Sequence, residues 1–166
     1  MAGPHTLGET ERQVESRLGD LTLDYSAMAV TSNLFRAANA VRNHFERTVL
    51  AEHNLSWTAF VVLWVAWIWE PIETRQIALE GGFSKATLTG VLVTLEGRGW
   101  LVRSRSASDG RLVEVSLTEE GRALMADLFP AFNGEEQRVV GPIDPARRDE
   151  LAEMLRVITS GVERES

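Results

Sequence analysis

The chain has 166 residues, 44% hydrophobic and 25% charged, and a formal net charge of −7, an ordinary composition for one soluble globular domain. It has no cysteine and three histidines, His5, His44 and His53, which excludes disulfides, thiolate metal sites and thiol redox sensing and leaves too few ligands for a closed zinc site. No basic segment followed by an apolar run opens it, and the apolar run Phe60–Trp69 is far short of the roughly 20 residues of a bilayer span; a cytoplasmic protein without membrane contact or cofactor is expected.

The net charge argues against nucleic acid until its distribution is read. Residues 1–72 carry five cations and eight anions, and residues 112–166 six and twelve. Residues 73–111 carry six cations against four anions, and within them 84–111 hold Lys85, Arg98, Arg103, Arg105 and Arg111 against Glu96 and Asp109. A basic island in an acidic chain suits a protein that docks locally on DNA while the remainder limits non-specific adhesion.

In chain order, residues 1–25 read as a frayed polar arm with a short helix near Glu11–Leu18. From Ser26 to about Glu52, Val30, Leu34, Ala37, Val41, Phe45 and Val49 recur at steps of three and four, the mark of an amphipathic helix. Ser56 caps a second helix, Trp57 to about Glu70, apolar on nearly all sides and therefore buried, which Pro71 stops. Thr74 caps a short helix to about Glu80, and Gly81-Gly82 forms a turn that tolerates positive φ. Ser84 caps a third helix to about Arg98, with Leu88, Val91, Leu92 and Leu95 on one face and Gly97 and Gly99 closing it. Two strands follow, Trp100–Arg105 and Leu112–Leu117, joined by a polar turn containing Asp109-Gly110, a hairpin signal. Thr118 opens a long helix to about Phe132. Gly134, Gly141, Pro142 and Pro145 punctuate the next stretch, and a last helix from about Asp144 to Val162 is apolar at Leu151, Met154, Leu155, Ile158 and Val162.

Short helix, glycine turn, helix and two-stranded hairpin is the order of a winged helix-turn-helix, whose second helix enters the major groove while the hairpin reaches the backbone or minor groove. Four pieces resemble the MarR family of transcription regulators: Leu55-Ser56-Trp57-Thr58-Ala59-Phe60; Thr74-Arg75-Gln76-Ile77-Ala78; Leu95-Glu96-Gly97-Arg98-Gly99-Trp100-Leu101-Val102-Arg103; and the run from Asp109-Gly110-Arg111 through Thr118-Glu119-Glu120-Gly121. The resemblance covers about residues 27–165. It implies a mainly α fold with a small β-hairpin wing, and N- and C-terminal helices that interlock with a second copy. The expected organisation is an arm (1–25), a dimerisation helix (26–54), a winged helix-turn-helix (55–118) and C-terminal dimerisation helices (119–166). A two-fold dimer predicts a pseudo-palindromic operator. The expected function is a DNA-binding regulator, a repressor released by a small organic, aromatic or acidic effector.

Arg111, at the wing tip, is the first candidate contact, because minor-groove potential favours arginine there; the resemblance implies the same role. Asp109 is read as its ion-pair partner. Ser84, Lys85, Thr87 and Thr89 occupy the first turns of the recognition helix, where hydroxyls and backbone N–H groups suit phosphates, although Ser84 is equally explained as a cap. Arg75, Arg103 and Arg105 are further phosphate candidates or plain surface charges. Ala86, Gly90 and Val93 form a smooth outer face; the family often has a long polar side chain where Gly90 stands, so thymine methyl contacts and shape readout are expected to carry specificity. The tryptophans Trp57, Trp64, Trp67 and Trp69 are core by the simpler reading. By the resemblance, Phe60, Trp64 and Trp67 with Arg36, Asn39, Asn43 and His44 would instead line an effector cleft.

Two rival classes bear on the same residues. An enzyme is disfavoured, since no phosphate loop, nucleophile elbow, His-Glu-x-x-His or cysteine nucleophile is present. A winged helix serving as a protein-interaction module remains the alternative, and a salt-sensitive, sequence-selective DNA shift separates the two.

Overall fold

A computed structural model describes residues 5–164. It divides into two compact units, the first ending at Asn43 and the second beginning at His44. In the first, α1 (Leu7–Leu18) is capped reciprocally by Thr6 and Glu9, and α2 (Tyr25–Arg47) begins here. The Tyr25 hydroxyl donates to the Leu18 carbonyl at 2.7 Å and Asn33 Nδ2 to Glu11 Oε1 at 2.8 Å. The helix expected within the arm near Glu11–Leu18 thus begins earlier, at Leu7: the Thr6/Glu9 box satisfies its first N–H groups. Residues 1–4 of that arm lie outside the described residues.

In the second unit the elements are α3 (Trp57–Trp69), β1 (Ile72–Glu73), α4 (Thr74–Gly81), α5 (Lys85–Gly97), β2 (Leu101–Arg105), β3 (Val113–Leu117), α6 (Glu119–Val140) and α7 (Pro145–Arg164). The core gathers around α3, where Ala59, Phe60, Val62, Leu63, Val65 and Ala66 are all buried. Ile77 of α4, Leu88, Leu92 and Leu95 of α5, Leu101, Val115 and Leu117 of the sheet, and Met125, Leu128 and Phe132 of α6 are buried as well. Ser56 caps α3, Ser84 caps α5 and Thr118 caps α6, each accepting from the backbone N–H three residues on.

Four elements depart from the sequence expectation. The helix expected to reach Glu52 ends at Arg47; the chain then turns through a 3-10 segment, Ala51–His53, with Asn54 left-handed at φ 50°. Val49 and Leu50, at that turn, are buried in the core. A strand absent from the periodicity, β1, pairs antiparallel with β3, giving the sheet order β1-β3-β2. Because extended Glu73 takes the N-cap position of α4, Thr74 is the first helical residue rather than the cap. Finally, α6 runs on through Pro130 and Gly134 to Val140 instead of ending near Phe132. Phe132 stacks on Phe60 at 4.1 Å and lies tilted against Phe45 at 4.3 Å, so packing overrides the local helix-breaking propensity.

None of the residues of α7 is buried, and Met154, Leu155 and Val157 are exposed. Among the described residues no helix is long and apolar enough to cross a membrane, and no group of three or more His, Asp or Glu is placed to hold a metal ion.

Candidate nucleic-acid interface

The turn between α4 and α5 depends on Gly82, whose φ of +63° favours a residue without Cβ. The Gly82 N–H donates to the Leu79 carbonyl and that of Phe83 to Ala78, which ends α4 and launches α5. At the start of α5, Ser84 Oγ accepts from Thr87 N–H at 3.1 Å and lies 2.9 Å from the Thr87 hydroxyl. Capping therefore engages Ser84, while Lys85, Thr87 and Thr89 stand exposed on the first turns. The Thr89 hydroxyl donates back to the Lys85 carbonyl at 2.8 Å. The outward face is as smooth as expected: Ala86, Gly90 and Val93 are exposed, and a Cβ at Gly90 would meet nothing within 4 Å.

The wing is an antiparallel ladder from Leu101↔Leu117 to Arg105↔Val113. At its tip Asp109 Oδ1 accepts from the Arg111 backbone N–H at 3.0 Å and lies 3.4 Å from Arg111 Nε, while the Arg111 side chain is 93% exposed. The carboxylate thus orients the guanidinium without burying it. One brace escaped the sequence reading. Buried Ser106 donates through Oγ to Glu114 Oε1 at 2.6 Å and lies 2.9 Å from Ser108 Oγ. No periodicity signals it, since Ser106 and Glu114 fall out of phase with the buried Leu101, Val115 and Leu117.

Between α4, α5, β2 and β3 lies a cleft of about 430 Å³ lined by Arg75, Lys85, Thr89 and Arg103, with Leu88 and Leu92 among its apolar residues. The candidates Arg75, Lys85, Thr89 and Arg103, scattered over 29 positions of sequence, are thereby gathered on one concave face. Arg103 is not idle there. Its Nε donates to Glu96 Oε2 at 3.1 Å and its Nη2 reaches the same oxygen. The bond from Arg103 holds the Glu96 carboxyl below the usual carboxylate range, and Glu96 in turn raises the Arg103 guanidinium further above its ordinary value. Arg105 is exposed, with no ion pair among the described residues. Arg98, counted in the basic island, is structural: it donates to the His53 and Asn54 carbonyls and lies 4.2 Å from the Trp100 ring centroid.

The aromatic residues form a seam between α3 and α6. Phe45, Trp57, Phe60 and Phe132 pack ring against ring at one end, and Trp64 stacks on Phe129 at 4.6 Å with Trp67 edge-on at 5.9 Å. Phe60, 4% exposed, belongs to the core, whereas Trp64 and Trp67 are half-buried. His44 is also half-buried, with Nε2 2.6 Å from Glu135 Oε2. Arg36, Asn39 and Asn43 are exposed on α2 in the first unit, where Arg42 donates to Asn39 Oδ1 at 2.8 Å. Trp69 is 65% exposed.

A two-helix reader with a cation-tipped β-hairpin defines a winged-helix DNA-binding protein. The MarR family model matches residues 55–113. The chain is 35% identical over 141 residues to the HTH-type transcriptional regulator YwaE of Bacillus subtilis, covering 85% of this chain and 82% of that one. It is 34% identical over 127 residues to the HTH-type transcriptional regulator TtmR of Methylorubrum extorquens, covering 71% and 65% of the two chains. Among solved structures, BpsR of Bordetella bronchiseptica, whose DNA binding is regulated by 6-hydroxynicotinic acid, aligns with a TM-score of 0.72 at 28% identity over 78% of this chain and 98% of that one. The fold is shared with the MarR regulator Sco3205 of Streptomyces coelicolor solved with DNA, at a TM-score of 0.76 and 19% identity over 85% and 90% of the chains. The chain belongs to the MarR family of transcriptional regulators.

Proposed function

We propose that the protein is a repressor that binds a pseudo-palindromic operator as a homodimer and is released by a small aromatic acid. The observation that carries the DNA reading is Arg111: fully presented at the wing tip, oriented by Asp109 and beyond the reach of the core. In this reading α5 lies in the major groove, with Lys85, Thr87 and Thr89 on phosphates and the methyl-sized outer face at Ala86, Gly90 and Val93 against bases. Arg75 and Arg105 add phosphate contacts, and Asp109 acts through Arg111. The exposed apolar residues of α7, with α2 and α6, supply the dimer surface, and the two-fold axis of the pair imposes the operator symmetry.

The effector half of the proposal takes support from BpsR and from the half-buried rings of Trp64 and Trp67, which with Phe129 of α6 offer an aromatic surface. A planar acid held there would bias the position of α6 and so the spacing of the DNA lobes.

The test is a gel shift on operator DNA selected from a random pool. The expected result is a salt-sensitive shift that footprints two half-sites. Arg111→Ala should weaken it about tenfold and lower the salt slope by roughly one. Sequence discrimination that survives both Arg111→Ala and Gly90→Ala unchanged would refute this assignment of the readout. Binding of a protein partner without any selective DNA shift would favour an interaction module instead.

A further inference from the structure

Glu70, the residue that ends α3, holds three hydrogen bonds on one carboxylate. Its Oε1 accepts from Arg122 Nε at 2.7 Å; its Oε2 accepts from Arg122 Nη2 at 2.9 Å and from the Leu117 backbone N–H at 2.7 Å. These donors belong to different elements: Leu117 is the last residue of β3 and Arg122 lies in the first turn of α6. Glu70 also closes α3, its own N–H donating to the Ala66 carbonyl at 2.9 Å. A single, largely buried carboxylate (17% exposed) therefore ties the end of the central helix to the root of the wing and to the helix that leaves it.

The geometry points to Glu70 as a positioning residue for DNA recognition: through Arg122 and Leu117 it sets the angle at which the wing carries Arg111 to the duplex. This rests on the reading of Arg111 as a DNA contact. The other hydrogen bonds at the root do not reach α3. Leu117 pairs with Leu101, the Thr118 N–H donates to the Trp100 carbonyl at 3.1 Å and the Thr118 hydroxyl to that of Gly99 at 2.6 Å. These bonds join the strands to each other and to α6; those of Glu70 join Leu117 and Arg122 to α3. Five residues of strand span about 13 Å, so a tilt of about 10° at the root displaces the tip by about 2 Å. That is enough to take a guanidinium out of hydrogen-bond range. The charge-assisted fork resists such tilt because its two bonds fix both distance and plane.

The test uses Glu70→Gln, isosteric and unable to accept both guanidinium bonds as a charged partner, and Arg122→Gln, which spares the Leu117 bond. Each is made in the full chain with and without Arg111→Ala. The first readout is backbone amide exchange. The wing amides of β2 and β3 are expected to exchange about tenfold faster in both variants while those of Leu88–Leu95 in α5 are unchanged. The second is a double-mutant cycle on operator DNA, in which the Arg111→Ala penalty should shrink from about tenfold to under about threefold in the Glu70→Gln background. Unaltered wing exchange overturns the proposal. Exchange that rises equally in α5 also overturns it, since Glu70 would then only hold the fold together. A full Arg111→Ala penalty in Glu70→Gln overturns it as well. If Arg111→Ala costs nothing in the native background, the wing-contact reading has failed, and amide exchange alone decides whether Glu70 fixes the wing.

Discussion

One methyl group placed at two glycines should move stability in opposite directions. A Cβ on Gly121 would lie 1.9 Å from the Trp100 carbonyl oxygen and 2.9 Å from its carbonyl carbon. The backbones of α6 and of the residue before β2 would have to part by more than about 1 Å. The bonds that hold them, Thr118 N–H to Trp100 and Thr118 hydroxyl to Gly99, sit at that seam. Overpacking of this kind costs about 1–3 kcal/mol, and two weakened hydrogen bonds add roughly 0.5–1.5 kcal/mol each. Gly121→Ala should therefore lose about 3–4 kcal/mol, a fall of roughly 10 °C in Tm for a chain of this size, within the 5–15 kcal/mol typical of a folded domain. Gly90 sits in mid-helix, where a Cβ meets open space, so Gly90→Ala should gain about 0.5–1 kcal/mol from helix propensity. Thermal melts followed by far-UV circular dichroism read both. A Gly121→Ala variant melting within about 1 °C of the native protein would refute the reasoning, as would a clear loss in Gly90→Ala.

Glu96→Gln should free Arg103 for phosphate, tightening operator binding and steepening its salt dependence by about one unit; the gain should vanish in Glu96→Gln/Arg103→Gln, and its persistence there would show that Arg103 is not its carrier. The same pair sets a pH dependence. Because the folded Glu96 carboxyl titrates below its ordinary value of 4.5, its contribution to stability is fully present above that value and fades as pH falls through the lower folded one. The Tm difference between native protein and Glu96→Gln should thus shrink on acidification, and NMR titration of the Glu96 side chain should place its midpoint below 4.5. Phe132→Ala, which removes the ring shared by Phe45, Trp57 and Phe60, should cost about 3–5 kcal/mol by denaturant titration; a loss under about 1 kcal/mol would mean the stack closes without it.

The helices of the DNA lobe were legible because their periodicity, caps and glycine turn are local. Ser56, Ser84 and Thr118 cap where the sequence places them, and Gly82 adopts the positive φ its position demands. Arg111 and Asp109 meet at the wing tip for the same reason: two residues apart in a tight turn, they have nowhere else to go.

The other outcomes depend on partners far along the chain. Nothing near Phe132 says that α6 continues, since the rings that hold it come from Phe45 and Phe60. Two residues of β1 carry no period, and only β3 makes them a strand. Arg98 and Arg103 look alike in the basic island, yet folding sends one to the His53 and Asn54 carbonyls and the other to Glu96. Glu70 reads as a plain helix-ending acid until Leu117 and Arg122, 47 and 52 residues on, arrive at its carboxylate. Local sequence determines which backbone conformation is cheap; which charges are spent inside the protein and which remain for DNA is decided only when distant segments meet.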